Sequence, residues 1–140
     1  MDDVSEATLE RGIGLRGNAE QGGRRQVTII SKETWDRVCS FLDADLSPSR
    51  RRANLLISGI DLTSTRGKVL AVGPCKLRIE GETRPCYRMD EAFHGLQEAL
   101  RGDWGGGVYC TIIRGGCIGV GDSVMFLQDV PAIQPNEPDF

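Results

Sequence analysis

Apolar and polar positions along this chain fall into short alternating runs and two helical stripes. Residues 26–31 (QVTIIS) form a β-branched run and predict a strand. Ser31 then stands where a helix N-cap belongs. Trp35, Val38, Cys39 and Leu42 follow at helical spacing, one apolar stripe that makes Cys39 a buried small hydrophobe. Residues 54–58 (NLLIS) and 68–72 (KVLAV) are apolar runs bounded by Gly59, Gly67 and Gly73, and predict two more strands. Cys75, Leu77 and Ile79 alternate with Lys76, Arg78 and Glu80, so a half-buried strand with Cys75 facing in is expected. Asp90 can cap a second helix whose Phe93, Leu96 and Leu100 face the core. Val108, Cys110 and Ile112 alternate with Tyr109, Thr111 and Ile113. Gly115 and Gly116 read as a two-residue hairpin turn, with residues 117–127 as the return strand.

The two ends lack this periodicity. Residues 1–23 contain Gly12, Gly14, Gly17, Gly22 and Gly23 and read as a Gly-rich loop segment. Pro131, Pro135 and Pro138 mark residues 129–140 as a frayed acidic tail. Residues 24–128 are left as one domain, and 140 residues suffice for one core. Many short strands, two helical stripes and 18 glycines predict a mainly β (α+β) fold. The expected form is a closed or nearly closed antiparallel β-barrel with two or more short helices.

Composition narrows the chemistry. No apolar run approaches the ~18 residues of a membrane span, and the start of the chain is acidic where a secretory signal would be basic. A cytoplasmic protein without membrane contact is expected. The net charge of −3 is uneven: both end segments are acidic and residues 24–128 carry +3, mostly as arginine. That is too weak for a nucleic-acid footprint and leaves room for a small anionic ligand. The single histidine, His94, excludes a multi-histidine metal site within one chain. It sits on the second helix without a nucleophile at helical spacing, where exposure or capping is its expected role. Five cysteines, none in C-x-x-C spacing, argue against disulfide scaffolds, zinc ribbons and iron–sulfur loops.

One cysteine falls outside every element. Cys86 lies in residues 83–89 (TRPCYRM), between a strand and a helix. Pro85 fixes the backbone before it, and Arg84 and Arg88 flank it with positive charge, which favours the thiolate. Thiolate attacks electrophiles and binds soft metals; a cysteine that merely fills a loop is the competing reading. Arg50, Arg51, Arg52 and Asn54 run into a strand. Arg52 and Asn54, nearest its mouth, suit a phosphate or polar heterocycle, whereas Arg50 and Arg51 read as solvated charge, as do Arg24 and Arg25. Residues 105–107 (GGG) precede a strand, which permits a tight turn or a close backbone approach. Residues 12–17 (GIGLRG) match a dinucleotide fingerprint only as a string, since no strand precedes them and no strong helix follows.

Taken in order, RRQVTIIS with Trp35, RRANLLISGIDL, GKVLAVG, GETRPCYRMDEA, GLQEALR, GGVY and GGCIGVGDSV resemble the MOSC domain. That is the C-terminal domain of molybdenum cofactor sulfurases, also found alone in small bacterial proteins. The resemblance runs from about Arg24 to Val124 and implies a β-rich barrel fold. It implies that Cys86 matches the family's cysteine, either as thiolate ligand to molybdenum beside the pterin or as a sulfur carrier. Arg52 and Asn54 match the family's R-x-N stretch, and Thr83 and Arg84 would line the same pocket. The implied cofactor is the molybdenum cofactor (molybdopterin), and the implied activity includes reduction of N-hydroxylated compounds. The chain carries neither an electron-transfer module nor the pyridoxal-phosphate-dependent desulfurase domain of the sulfurases. An electron-donor protein or a cysteine desulfurase is therefore the expected partner. Two alternatives stay open: a metal-free sulfurtransferase working through a Cys86 persulfide, and a non-catalytic module that binds an anion or a partner and gives Cys86 no chemical role.

Overall fold

The computed structural model describes residues 6–15, 26–46, 54–83, 93–101 and 104–127. Strands β1 (Glu6–Glu10), β2 (Gly14–Leu15) and β3 (Val27–Ser31) lead into helix α1 (Lys32–Leu42). Next come β4 (Leu55–Ile57), β5 (Val69–Val72) and β6 (Cys75–Glu82), then helix α2 (Leu96–Leu100). Strands β7 (Val108–Arg114), β8 (Gly116–Gly119) and β9 (Val124–Phe126) follow. The fold is mainly β with two helices among the described residues, as the periodicity predicts. Ser31 caps α1: its hydroxyl accepts the Thr34 N–H at 3.3 Å, and Trp35 and Val38 are the buried face.

The strands make two sheets. A six-stranded sheet runs β4-β3-β7-β6-β5-β9, and a three-stranded sheet runs β2-β1-β8. The larger sheet ends on β4 and β9, so its ladder does not close among the described residues. It curves as an open half-barrel, which corrects the expected closure. Nor is it all antiparallel. Strands β3 and β4 pair in parallel, because α1 carries the chain back across before β4 begins.

The expected hairpin at Gly115 and Gly116 does not form. Strand β8 leaves the larger sheet and pairs with β1, while β9 pairs with β5. The reason is visible at Gly115, where an added Cβ would stand 2.4 Å from the Leu9 carbonyl oxygen. Its missing side chain admits a crossing strand rather than a turn. Likewise, residues 6–15 form two strands joined by a turn at 11–13 rather than a loop. Leu9 is buried at 1% exposure and joins Ile118 in the main core, and β1 holds β8 over four residue pairs. The N-terminal run shows too little apolar alternation to reveal a strand whose only deep contact is Leu9.

Two apolar clusters form among the described residues. The main one lies between the sheets and includes Val27, Ile29, Leu70, Leu77, Ile79, Val108 and Ile112. The second joins α1, α2 and the outer face of β3 through Ile30, Trp35, Val38, Leu96 and Leu100. Phe93 packs against it, completing the predicted stripe of the second helix. That helix starts at Leu96 with Gly95 at its N-cap; the predicted cap, Asp90, lies outside the described residues.

Candidate functional site

Of the sequence-predicted site residues, Cys86, Arg52 and Arg84 lie outside the described residues, as do Arg24, Arg25, Arg50 and Arg51. Asn54 and Thr83 are described, and they meet the sheet on the same side.

Asn54 enters β4 as a clip on β3. Its Oδ1 accepts the Thr28 N–H at 2.9 Å and the Thr28 hydroxyl at 3.2 Å. In return its backbone N–H donates to the Thr28 carbonyl at 3.0 Å and to Oγ1 at 3.1 Å. Four bonds within one residue pair fix where the Asn54 amide stands.

Thr83 ends β6. Its backbone N–H donates to the Gly107 carbonyl at 2.9 Å. Its side chain is 4% exposed, yet Oγ1 has no hydrogen-bond partner among the described residues. An orphaned buried hydroxyl costs about 1–3 kcal/mol. Gly107 fits the opposing position only as glycine. Its φ is +87°, and an added Cβ would stand 2.1 Å from the Ile29 carbonyl oxygen. The close backbone approach expected of the triple glycine is thus real, and it is made to the chain itself.

A β-bulge decides which way this end of β6 faces. Ile79 pairs with Cys110 and Gly81 with Tyr109, so two steps on β6 answer one on β7. Before the bulge, Leu77 and Ile79 face the main core. After it, Gly81 shares a face with Tyr109, whose ring lies across it. By strand alternation Thr83 belongs to that same outer face. Asn54 at the entry of β4, Thr28, Tyr109 and Gly81 therefore form one transverse row across β3, β7 and β6, and Thr83 lies on the same face two residues beyond Gly81. Sequence reasoning missed Thr28 and Tyr109 as members of this row. Alternation placed Tyr109 on the polar face, but nothing in the run announces the bulge.

The strand cysteines are structural. Cys75 and Cys110 are both 0% exposed. Burial, with Glu80 nearby, pushes the Cys110 thiol up to about 12. Burial pushes Cys75 up too, helped by the nearby Cys117 and Asp122. Both stay neutral thiols at physiological pH and are poor nucleophiles. Cys39 is half-buried with its Sγ 3.8 Å from the Leu46 carbonyl oxygen, less deeply placed than its stripe predicts. Cys117, unassigned by sequence, is exposed beside the Thr8 hydroxyl at 3.6 Å. His94 is exposed, in the turn before α2.

Among the described residues no group of three His, Cys, Asp or Glu side chains could hold a metal ion. A cavity of about 430 Å³ at the end of α1 is lined by Asp36, Asp43 and Asp45, the wrong sign for an anion. No described helix is long and apolar enough to cross a membrane.

A protein-family model described as the MOSC domain matches residues 16–125. The fold is similar to that of the YuaD protein from Bacillus subtilis, with TM-score 0.76 and 22% identity over 88% of this chain and 85% of that one. YiiM from Escherichia coli gives TM-score 0.71 and 15% identity over 89% of this chain and 63% of its own length. YiiM from Geobacillus stearothermophilus gives 0.68 and 14% over 81% and 60%. The chain thus spans under two thirds of either YiiM protein. Comparison with curated proteins finds no match.

Proposed function

Because the chain belongs to the MOSC domain family, we propose that it binds the molybdenum cofactor at the Thr83 end of β6, with the Cys86 thiolate as the protein's ligand to the metal. The observation that carries this reading is the Thr83 hydroxyl, buried and without a partner among the described residues, three residues before Cys86 in the chain. A ligand with a polar edge completes it, and the pterin has such an edge. Cofactor and residues fit in kind. Arg52 and Arg84 supply guanidinium forks for the cofactor's phosphate. Arg84 and Arg88 favour the ionised form of Cys86. Asn54, fixed by its clip on Thr28, presents its amide at a set position.

When bound, the cofactor supplies two-electron redox chemistry at a metal; the residues named here hold it, orient it and keep Cys86 ionised. Reduction of N-hydroxylated compounds would then need electrons from a separate donor protein in the cytoplasm. In a sulfur-carrier role the partner is instead a cysteine desulfurase that loads Cys86.

The test is molybdenum and pterin content of the chain purified from a molybdenum-replete host, beside Cys86→Ser. The expected result is near-stoichiometric metal in the wild type and little in the variant. Equal content in both removes Cys86 from the role. A sulfur adduct on the Cys86 peptide, found by mass spectrometry in metal-free protein, moves the reading to sulfur relay.

A further inference from the structure

We propose that Tyr109 is the residue that stacks on the planar ring of the ligand completed by Thr83. This rests on the pterin reading above and adds a residue that neither the sequence motifs nor the family match supplies.

Gly81 faces the Tyr109 ring across the β6–β7 ladder. Its backbone is not in the left-handed region, so conformation does not call for glycine. Space does. An added Cβ would stand 2.9 Å from the Tyr109 hydroxyl oxygen and 3.1 Å from the ring atoms Cε1 and Cζ. The missing side chain lets the ring lie across β6. A glycine in the middle of a strand is costly, and here its one visible use is to seat an aromatic ring.

The bulge at Glu80 points the same way. It interrupts the β6–β7 ladder and turns Gly81, and Thr83 after it, onto the face that carries Tyr109. Without it, alternation would keep Thr83 with Leu77 and Ile79 on the core face. Thr83 lies two residues beyond Gly81, about 7 Å along the strand. That is about the span of a fused two-ring heterocycle, so the separation of the orphan hydroxyl from the ring matches the length of one such molecule. Tyr109 is only half-buried, so part of its surface remains open. A planar, electron-poor, polar-edged ring is the class of ligand this pair selects: the edge meets Thr83 and the face meets Tyr109.

The experiment titrates a soluble fluorescent pterin, pterin-6-carboxylate, into the full chain and follows the anisotropy of the probe. Tyr109→Phe keeps the ring and should bind within about twofold of wild type, whereas Tyr109→Leu should weaken binding about tenfold. Gly81→Ala, which lifts the ring without touching it chemically, should also weaken binding; thermal melts establish that each variant is folded. Tyr109→Leu binding as tightly as wild type overturns the proposal. If Thr83→Val then still loses the probe, the site stands without the stack. A wild-type chain that takes no pterin also overturns it, while the metal content of the purified protein judges the function separately.

Discussion

The two ends of β6 differ in one respect that matters. At its start, Cys75 is sealed in the main core as a neutral thiol, a weak donor with little to satisfy. Just past its end, Thr83 is buried nearly as well, yet its hydroxyl has no partner among the described residues. Both are small side chains on one strand, and burial alone does not tell them apart. The difference lies in whether the polar atom is finished. A buried group whose needs are met belongs to the structure; one left short of a bond calls for an explanation, and the proposed ligand supplies one.

The contrast can be broken from either side. The largest effect is expected at Gly107, opposite Thr83. Gly107→Ala puts a Cβ against the Ile29 carbonyl in a left-handed backbone, and should cost about 3 kcal/mol or more in urea unfolding. Cys75→Ser gives the finished end an unfinished hydroxyl, and should cost about 2 kcal/mol without changing ligand content. Thr83→Val does the reverse and should stabilise the ligand-free protein by about 1 kcal/mol. The smallest effect at neutral pH is at Cys110. Its thiol is raised from 9.0 to about 12 in the folded protein, so the native state favours the protonated form. Its contribution is whole below pH about 9 and is lost as pH rises toward about 12. Alkaline unfolding curves should show this loss in the wild type and not in Cys110→Ala.

Much of this was legible in the sequence because period-2 alternation reports burial directly. Cys75 and Cys110 read as core and are core. The Ser31 cap and the Trp35 and Val38 stripe read as a helix and form one. What could not be read are features set by tertiary crossing. Gly115 looks like a turn residue, but its lack of a side chain serves the approach of β1. Residues 6–10 look like loop because their strand is defined by its partner β8 and not by their own pattern. Thr83 matched a family motif, but extending the alternation of Cys75, Leu77 and Ile79 would have put it on the core face. Only the bulge at Glu80 reverses that, and a bulge leaves no periodic signature. Tyr109 escaped for the same reason, since its neighbour across the ladder is set by the shifted register.

The most direct measurement compares the unfolding free energies of wild type and Thr83→Val, each ligand-free and each loaded with molybdenum cofactor. The account predicts a reversal of sign: the valine variant is the more stable ligand-free protein and the less stable loaded one. A Thr83→Val that is destabilised without ligand, or that shifts both forms equally, would contradict it.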